Sequence, residues 1–204
     1  MPPPNTYNDC FNKPHTYILT ANNCNTMINY KEKLHEIKAF VFDFDGVMTD
    51  GSVWTYADGE TVRFGNIKDG FAIQYAVKKG YIVALISGAT SLSINNRMAA
   101  LGVTQCYTGC ANKMETYKEF LSKNGLSENQ VVCMGDDIPD YGIMTHCGVA
   151  ACPADAATEI KEICDYISLY GGGFGCVRDI IEQVLRLQGQ WFNPSVANHE
   201  AMNW

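Results

Sequence analysis

"FVFDFDGVMTD", residues 40–50, places aspartates at 43 and 45 at the end of an apolar run and follows them with Gly46. Where a strand runs out into a loop, residues two apart point the same way, so Asp43 and Asp45 can face one small volume. A plain turn at Asp45–Gly46 is the simpler alternative. A calcium loop of the D-x-D-x-D-G kind fails, because position 47 is Val and no glutamate stands at the closing position. Two carboxylates this close shift each other's pKa unless a proton or a cation intervenes, so the pair calls for a partner.

Working outward, short runs rich in branched or aromatic residues recur at 37–42, 81–86, 131–134 and 148–150, and each reads as a buried strand. Helical spacing lies between them. Ile94, Met98 and Leu101 share one face, Met114, Tyr117 and Leu121 another, and Val177, Ile180, Ile181, Val184 and Leu185 form a fuller stripe before Gly189. Strand alternating with helix predicts an α/β fold, a Rossmann-like parallel sheet with helices on both faces. Such sheets bind ligands beyond the carboxyl ends of their strands. "SVWTYADGETVRF", residues 52–64, breaks the alternation with two strand-like arms around Asp58–Gly59, and predicts a β-hairpin flap after the first strand. The roughly 40 residues between Asp45 and Ser87 hold that hairpin and a helix but leave no room for a cap domain.

At 204 residues, 47% of them apolar, the chain can fill the core of one domain. The net charge of -7, from 22 acidic against 15 basic residues with no basic block, argues against a nucleic-acid or anionic-membrane surface. No stretch reaches the roughly 18 apolar residues of a spanning helix, and the N-terminus lacks the charged-then-apolar order of a secretory signal. The expectation is a cytoplasmic protein with small soluble ligands. Nine cysteines, odd in number, irregular in spacing and without a C-x-x-C, read as reduced structural thiols. Residues 1–26, rich in Asn, Thr and Pro, read as a mobile tail, with Met27 as an alternative start. The expected units are an N-terminal extension over 1–35, a domain over 36–190 and a C-terminal tail over 191–204.

The ends of the later strands add chemistry. Ser87–Gly88 offers a hydroxyl and an open backbone suited to phosphate oxygens. Lys113 opens the helix before the 131–134 strand, and "GDDIPD", residues 135–140, puts Asp136 and Asp137 at that strand's end with Asp140 behind Pro139. Taken singly, each could be a helix lead-in, a helix cap or a solvated charge. Together they gather carboxylates, a hydroxyl and an ammonium at the strand ends.

The ordered set D-x-D-G, S-G, K and G-D-D-x-x-D resembles the haloacid dehalogenase superfamily of phosphohydrolases over about residues 36–190. "DGVMTDG", "NIKDGFAIQYAVKKG", "SGA", "NKMETY", "GDDIPD" and "GGGFGCVRDIIEQVLRLQGQW" are similar to its capless subfamily of 3-deoxy-D-manno-octulosonate 8-phosphate phosphatases, which act in lipopolysaccharide sugar synthesis. The resemblance implies that Asp43 attacks phosphorus to form an aspartyl-phosphate and that Asp45 protonates the leaving alkoxide and then activates water. It implies magnesium on the Asp43 side chain, the Asp45 backbone carbonyl and the Asp136 side chain. Ser87, Gly88 and Lys113 would hold phosphoryl oxygens, with Asp137 and Asp140 orienting water and Lys113. It further implies a homotetramer, whose hairpin arms around Trp54 and Tyr56 could pair edge to edge. Beyond Gly189, "QWFNPSVANHEAMNW" carries two tryptophans and a phenylalanine without a helical period and reads as a tail that is either loose or docked so as to help close a neighbouring site.

Two departures bear on the substrate. The residue after S-G is Ala89, where many family members carry arginine and the related phosphatases of nine-carbon keto sugar acids tend to carry glutamate. Lys68, Arg97 and Arg178 are the remaining basic candidates for a substrate carboxylate. A phospho-acceptor signalling domain of the receiver type uses similar groups, but its acceptor normally sits on a later strand, and the built-in partner Asp45 favours hydrolysis. A non-catalytic binding module would have little use for Asp45.

Overall fold

The computed structural model describes residues 29–194, so the expected extension through residue 28 and the tail from residue 195 lie outside the described residues. The chain runs α1 (Tyr30–Lys33), β1 (Ala39–Phe42), β2 (Trp54–Thr55), β3 (Thr61–Val62), α2 (Ile67–Lys78), β4 (Ile82–Ile86), α3 (Leu92–Ala100), β5 (Gln105–Tyr107) and α4 (Lys113–Asn124). It continues with β6 (Val131–Met134), α5 (Tyr141–Met144), β7 (Val149–Cys152), α6 (Thr158–Ile163), β8 (Tyr166–Ile167) and α7 (Cys176–Leu187). Six strands form one parallel sheet in the order β5-β4-β1-β6-β7-β8, as the alternation predicts. The motif-bearing strand β1 lies between β4 and β6, with Phe42 paired to Leu85 on one side and to Met134 on the other.

Strand side chains alternate between two cores because successive residues point to opposite faces. Phe40, Phe42, Val83, Leu85, Val132 and Met134 pack on the face covered by α2, α3 and α7. Ala39, Val41, Ala84, Ile86, Val131 and Cys133 pack on the other, under α4 and α6. Both faces are covered, so β1 and β6 are apolar throughout rather than alternating with polar residues.

The edge strands β5 and β8 escape sequence reading because they are two or three residues long and none of their residues is buried. On α4 the buried stripe runs through Lys113, Tyr117 and Phe120, and Met114 and Leu121, expected to share a face with Tyr117, are half-buried and pack against the same core. The fold also extends past residue 36: Leu34 is fully buried and Tyr30 stacks on Tyr166 at 5.4 Å between centroids. At the other end Trp191 packs against Tyr75, 5.0 Å between centroids, on α2 of its own chain.

The hairpin forms as predicted, with Trp54 opposite Val62 and Gly59 in the left-handed region at φ +88°. Its apolar side chains face outward, Trp54 being 64% and Phe64 60% exposed. The described cysteines are all free. Among the described residues, no helix is long and apolar enough to cross a membrane.

Candidate active site

Parallel pairing sets the site. Asp43 is one residue past Phe42, while Ser87 and Asp136 stand two past its register partners Leu85 and Met134. Three strand ends therefore open on one spot. The Asp43 amide donates to Met134 O at 3.0 Å, extending the ladder beyond the strand and fixing the direction of the carboxylate.

The loop after Asp43 turns on Gly46, whose φ of +81° suits glycine. A side chain at Gly46 would run into the Asp136 carboxylate, so the loop lies directly on the end of β6. Thr49, fully buried, pins the turn: its hydroxyl donates to Phe44 O at 3.4 Å and accepts from the amides of Gly46 and Gly51 at 3.4 and 3.3 Å. Nothing in the sequence marks this threonine apart from its place in the loop.

Asp43, Asp136 and Asp140 each offer a carboxylate oxygen, all within 4.8 Å of one another. Lys113, 9% exposed, enters from the first turn of α4, its Nζ donating to Asp140 Oδ1 at 2.7 Å and lying 3.0 Å from Asp43 Oδ1. That second approach is an ion pair without hydrogen-bond geometry, and Asp43 Oδ1 is a buried oxygen that accepts no hydrogen bond. Burial pushes Asp43 up to about 6, with the Asp140 charge adding to it against the pull of Lys113. Burial, then the charge of Asp43, pushes Asp136 up to about 7. Burial opposes the charge on Lys113, but Asp43 and Asp140 overcome it and hold the ammonium above its ordinary value. One ammonium among three carboxylates leaves negative charge over, and Asp43 Oδ1, ion-paired but accepting no hydrogen bond, offers a hard oxygen beside Asp136 that fits a small divalent cation.

Other expected residues are placed as follows. Ser87 is 2% exposed and its hydroxyl accepts from the Ala89 amide at 3.2 Å, while Gly88 is exposed. Asp45 lies outside the carboxylate cluster, where Arg63 Nε of the hairpin's second arm donates to its Oδ1 at 2.5 Å. Asp137 is exposed and accepts from the Ile138 amide at 2.8 Å, capping the short helix behind it. Arg97 lines a cleft of about 340 Å³ together with Phe44, Asn66 and Arg63, the last of which reaches Asp45. Lys68 and Arg178 line a different cleft, of about 490 Å³, with Tyr170 and Phe174. Arg178 is engaged there, over the rings of Phe71 and Trp191 and 3.2 Å from Glu182. Arg63 went unread in the sequence, its one signal being a cation that closes a hairpin arm facing D-x-D.

Residues 107–171 match the family described as haloacid dehalogenase-like hydrolase. The 3-deoxy-D-manno-octulosonate 8-phosphate phosphatase KdsC of Escherichia coli strain K12 is 32% identical over 158 residues, 78% of this chain and 84% of that protein. This chain belongs to the haloacid dehalogenase-like phosphatases. The crystal structure of the 3-deoxy-D-manno-octulosonate 8-phosphate phosphatase of Moraxella catarrhalis, in complex with magnesium ion, phosphate ion and KDO, superposes with a TM-score of 0.77. It is 27% identical, with 80% of this chain and 94% of that one covered. The cobalt-bound deoxy-D-mannose-octulosonate 8-phosphate phosphatase of Haemophilus influenzae is 30% identical with a TM-score of 0.75, covering 77% of this chain and 92% of that one.

The raised carboxyls of this phosphatase give an unusual stability profile. Asp43 and Asp69 at about 6 and Asp136 at about 7 hold protons more readily folded than unfolded, where an aspartate sits near 3.8. Their contribution is present in full below the unfolded value and is lost as pH rises through about 6 to 7, in the sense required by proton linkage. In chelator the melting temperature should therefore be higher at pH 5.5 than at pH 8, by a few degrees on the usual scaling. A melting temperature that falls steadily from pH 8 to pH 5.5 contradicts this.

Proposed function

We propose that this phosphatase is a magnesium-dependent phosphomonoester hydrolase that releases phosphate from 3-deoxy-D-manno-octulosonate 8-phosphate, supplying an acidic sugar for lipopolysaccharide. The observation that carries the reading is the convergence of Asp43, Asp136 and Lys113 at three strand and helix ends, with Asp43 Oδ1 left without a hydrogen bond. The named relatives support the substrate.

Asp43 would attack phosphorus in line, forming its own O–P bond as the ester O–P bond breaks, and Asp45 would give its proton to the leaving alkoxide. Asp45 then takes a proton from water, which attacks the aspartyl-phosphate and returns Asp43 free with inorganic phosphate. Asp43 and Asp136 side chains with the Asp45 carbonyl would hold magnesium, which when bound offsets the repulsion between two anions. Lys113 would follow the charge on the phosphoryl oxygens from its seat on Asp140, and the Ser87 hydroxyl with the Gly88 backbone would take another oxygen. Asp137 would orient water at the rim. Arg97 is the basic residue best placed to meet the substrate carboxylate in the absence of an arginine at position 89, whereas Lys68 and Arg178 face the other cleft.

The test is phosphate release by the full chain from the eight-carbon substrate, a nine-carbon keto sugar acid phosphate, hexose phosphates and p-nitrophenyl phosphate, with magnesium or chelator. The eight-carbon substrate should exceed hexose phosphates in kcat/KM by about tenfold or more, within the reach of one charged contact. Chelator should silence all activity. A hexose phosphate as best substrate overturns the substrate; no phosphate release from any of them overturns the reaction.

The outward Trp54, Tyr56 and Phe64 of the hairpin support a homotetramer in which copies cover this apolar surface. A monomeric mass in sedimentation at micromolar concentration would refute it. The free thiols and the need for magnesium support a cytoplasmic setting, where fractionation should find the active enzyme.

A further inference from the structure

Asp69 is the other described residue with a buried, unpartnered side-chain oxygen, and the chemistry proposed above does not use it. It sits in the first turn of α2 and is 1% exposed. Its Oδ1 accepts the Arg178 amide at 2.7 Å, a bond between residues far apart in the chain. The reason lies in α7. That helix starts after Gly175, at φ +116°, and Gly175 has no side chain to cap the free amides of the first turn. Asp69 supplies the cap from another helix, and its negative charge meets the positive end of a 12-residue helix.

What α7 carries at that end is the glycine loop 171–175, and this loop lies against the loop bearing Asp45. The Gly173 amide donates to Val47 O at 2.9 Å, and the Cys176 thiol reaches the same oxygen at 3.2 Å. A side chain on Gly172 would collide with the Gly46 carbonyl, and one on Gly173 would come within 2.7 Å of the Asp50 amide. On the flank, Asn66 Nδ2 donates to Gly173 O at 3.1 Å, and Asn66 is itself the cap of α2. The Gly46 turn is thus held between Asp136 on one side and the glycine loop on the other.

We infer that Asp69 is a positioning residue for the phosphatase reaction: by fixing the N-terminus of α7 it sets the glycine loop, and through it the loop that aims Asp45 and presents the Asp45 carbonyl. The inference rests on the phosphatase reading proposed above. Asp69 touches none of the reacting atoms. Its contribution is geometric, so it acts on turnover rather than on substrate binding, since displacements of about 1 Å at reacting groups cost up to about 10²-fold.

The experiment compares Asp69→Ala, Asp69→Asn and Asn66→Ala with the parent chain, reading kcat and KM on p-nitrophenyl phosphate at saturating magnesium and amide hydrogen exchange at Gly173. Asp69→Ala should lower kcat by about tenfold to 10²-fold with KM changed less than about threefold. Exchange at Gly173 should quicken. Asp69→Asn keeps an acceptor for the Arg178 amide and should return both readouts to within about threefold of the parent, a rescue that general destabilisation would not produce. If Asp69→Ala does not fold, Asn66→Ala loosens the same loop from its half-buried flank and should show the same kcat-only loss, smaller in size. Unchanged kcat and exchange in a folded Asp69→Ala or Asn66→Ala protein overturns the inference, as does a loss confined to KM or one that Asn fails to rescue. An inactive parent chain would sink the phosphatase reading instead, and the exchange at Gly173 would still decide whether Asp69 anchors the loop.

Discussion

Replacing Asp43 by Asn should leave no measurable turnover, while the folded protein survives. The amide cannot attack phosphorus, so the proposed covalent step is lost rather than slowed. The substitution also removes a charge that burial and Asp140 already disfavour, so at pH 8 the variant should melt no lower than the parent in chelator. Inactivity would then be chemical. Asp45→Asn behaves differently, because the nucleophile remains and only proton transfer is removed, a loss of about 10²- to 10⁴-fold. With the second proton transfer impaired, phosphate should accumulate on Asp43 and be trapped by acid quench. Phosphate release by Asp43→Asn within tenfold of the parent would sink the mechanism.

Lys113→Ala should cost both activity and stability, the latter in a pH-dependent way. Its ammonium stands between Asp140 and Asp43, at 2.7 and 3.0 Å, with little access to water. Removing one partner of a buried ion pair typically costs about 3–5 kcal/mol, because the remaining charge is left uncompensated. The loss should be largest at pH 8 and shrink toward pH 5.5, where Asp136 and Asp43 take up protons through about 7 and 6. Magnesium should restore part of the stability at pH 8. Turnover should fall about 10²- to 10³-fold for want of a cation on the phosphoryl oxygens. Urea unfolding at the two pH values measures the first effect, and equal losses at both would show that Lys113 does not balance this cluster.

The architecture was legible because its signals are local. Apolar runs such as 131–134 and the stripe of α7 follow from which neighbours along the chain are apolar, and that pattern alone calls for a sheet covered on both faces. The short edges β5 and β8 were not legible, since two or three half-exposed residues form a strand only when a formed sheet offers them a ladder. Lys113 was flagged by type and place, yet its burial shows only once α4 packs its stripe against the sheet.

By itself, then, the sequence determined the four central strands and the alternation of strand with helix, the aspartate pair at the tip of the first of them, the hairpin that follows, and the absence of room for a cap. Those depend on spacing of 2.0 and 3.6 residues and on turn chemistry, which act over a few residues. Tertiary structure decided which charges meet. It brought Asp140 rather than Asp45 into the carboxylate cluster, turned Arg63 onto Asp45, committed Arg178 to Phe71, Trp191 and Glu182, and buried Asp69 under α7. Each of these contacts joins segments whose separation is set by strand order and helix packing, and a side chain's partner there depends on sheet register, which no local pattern carries.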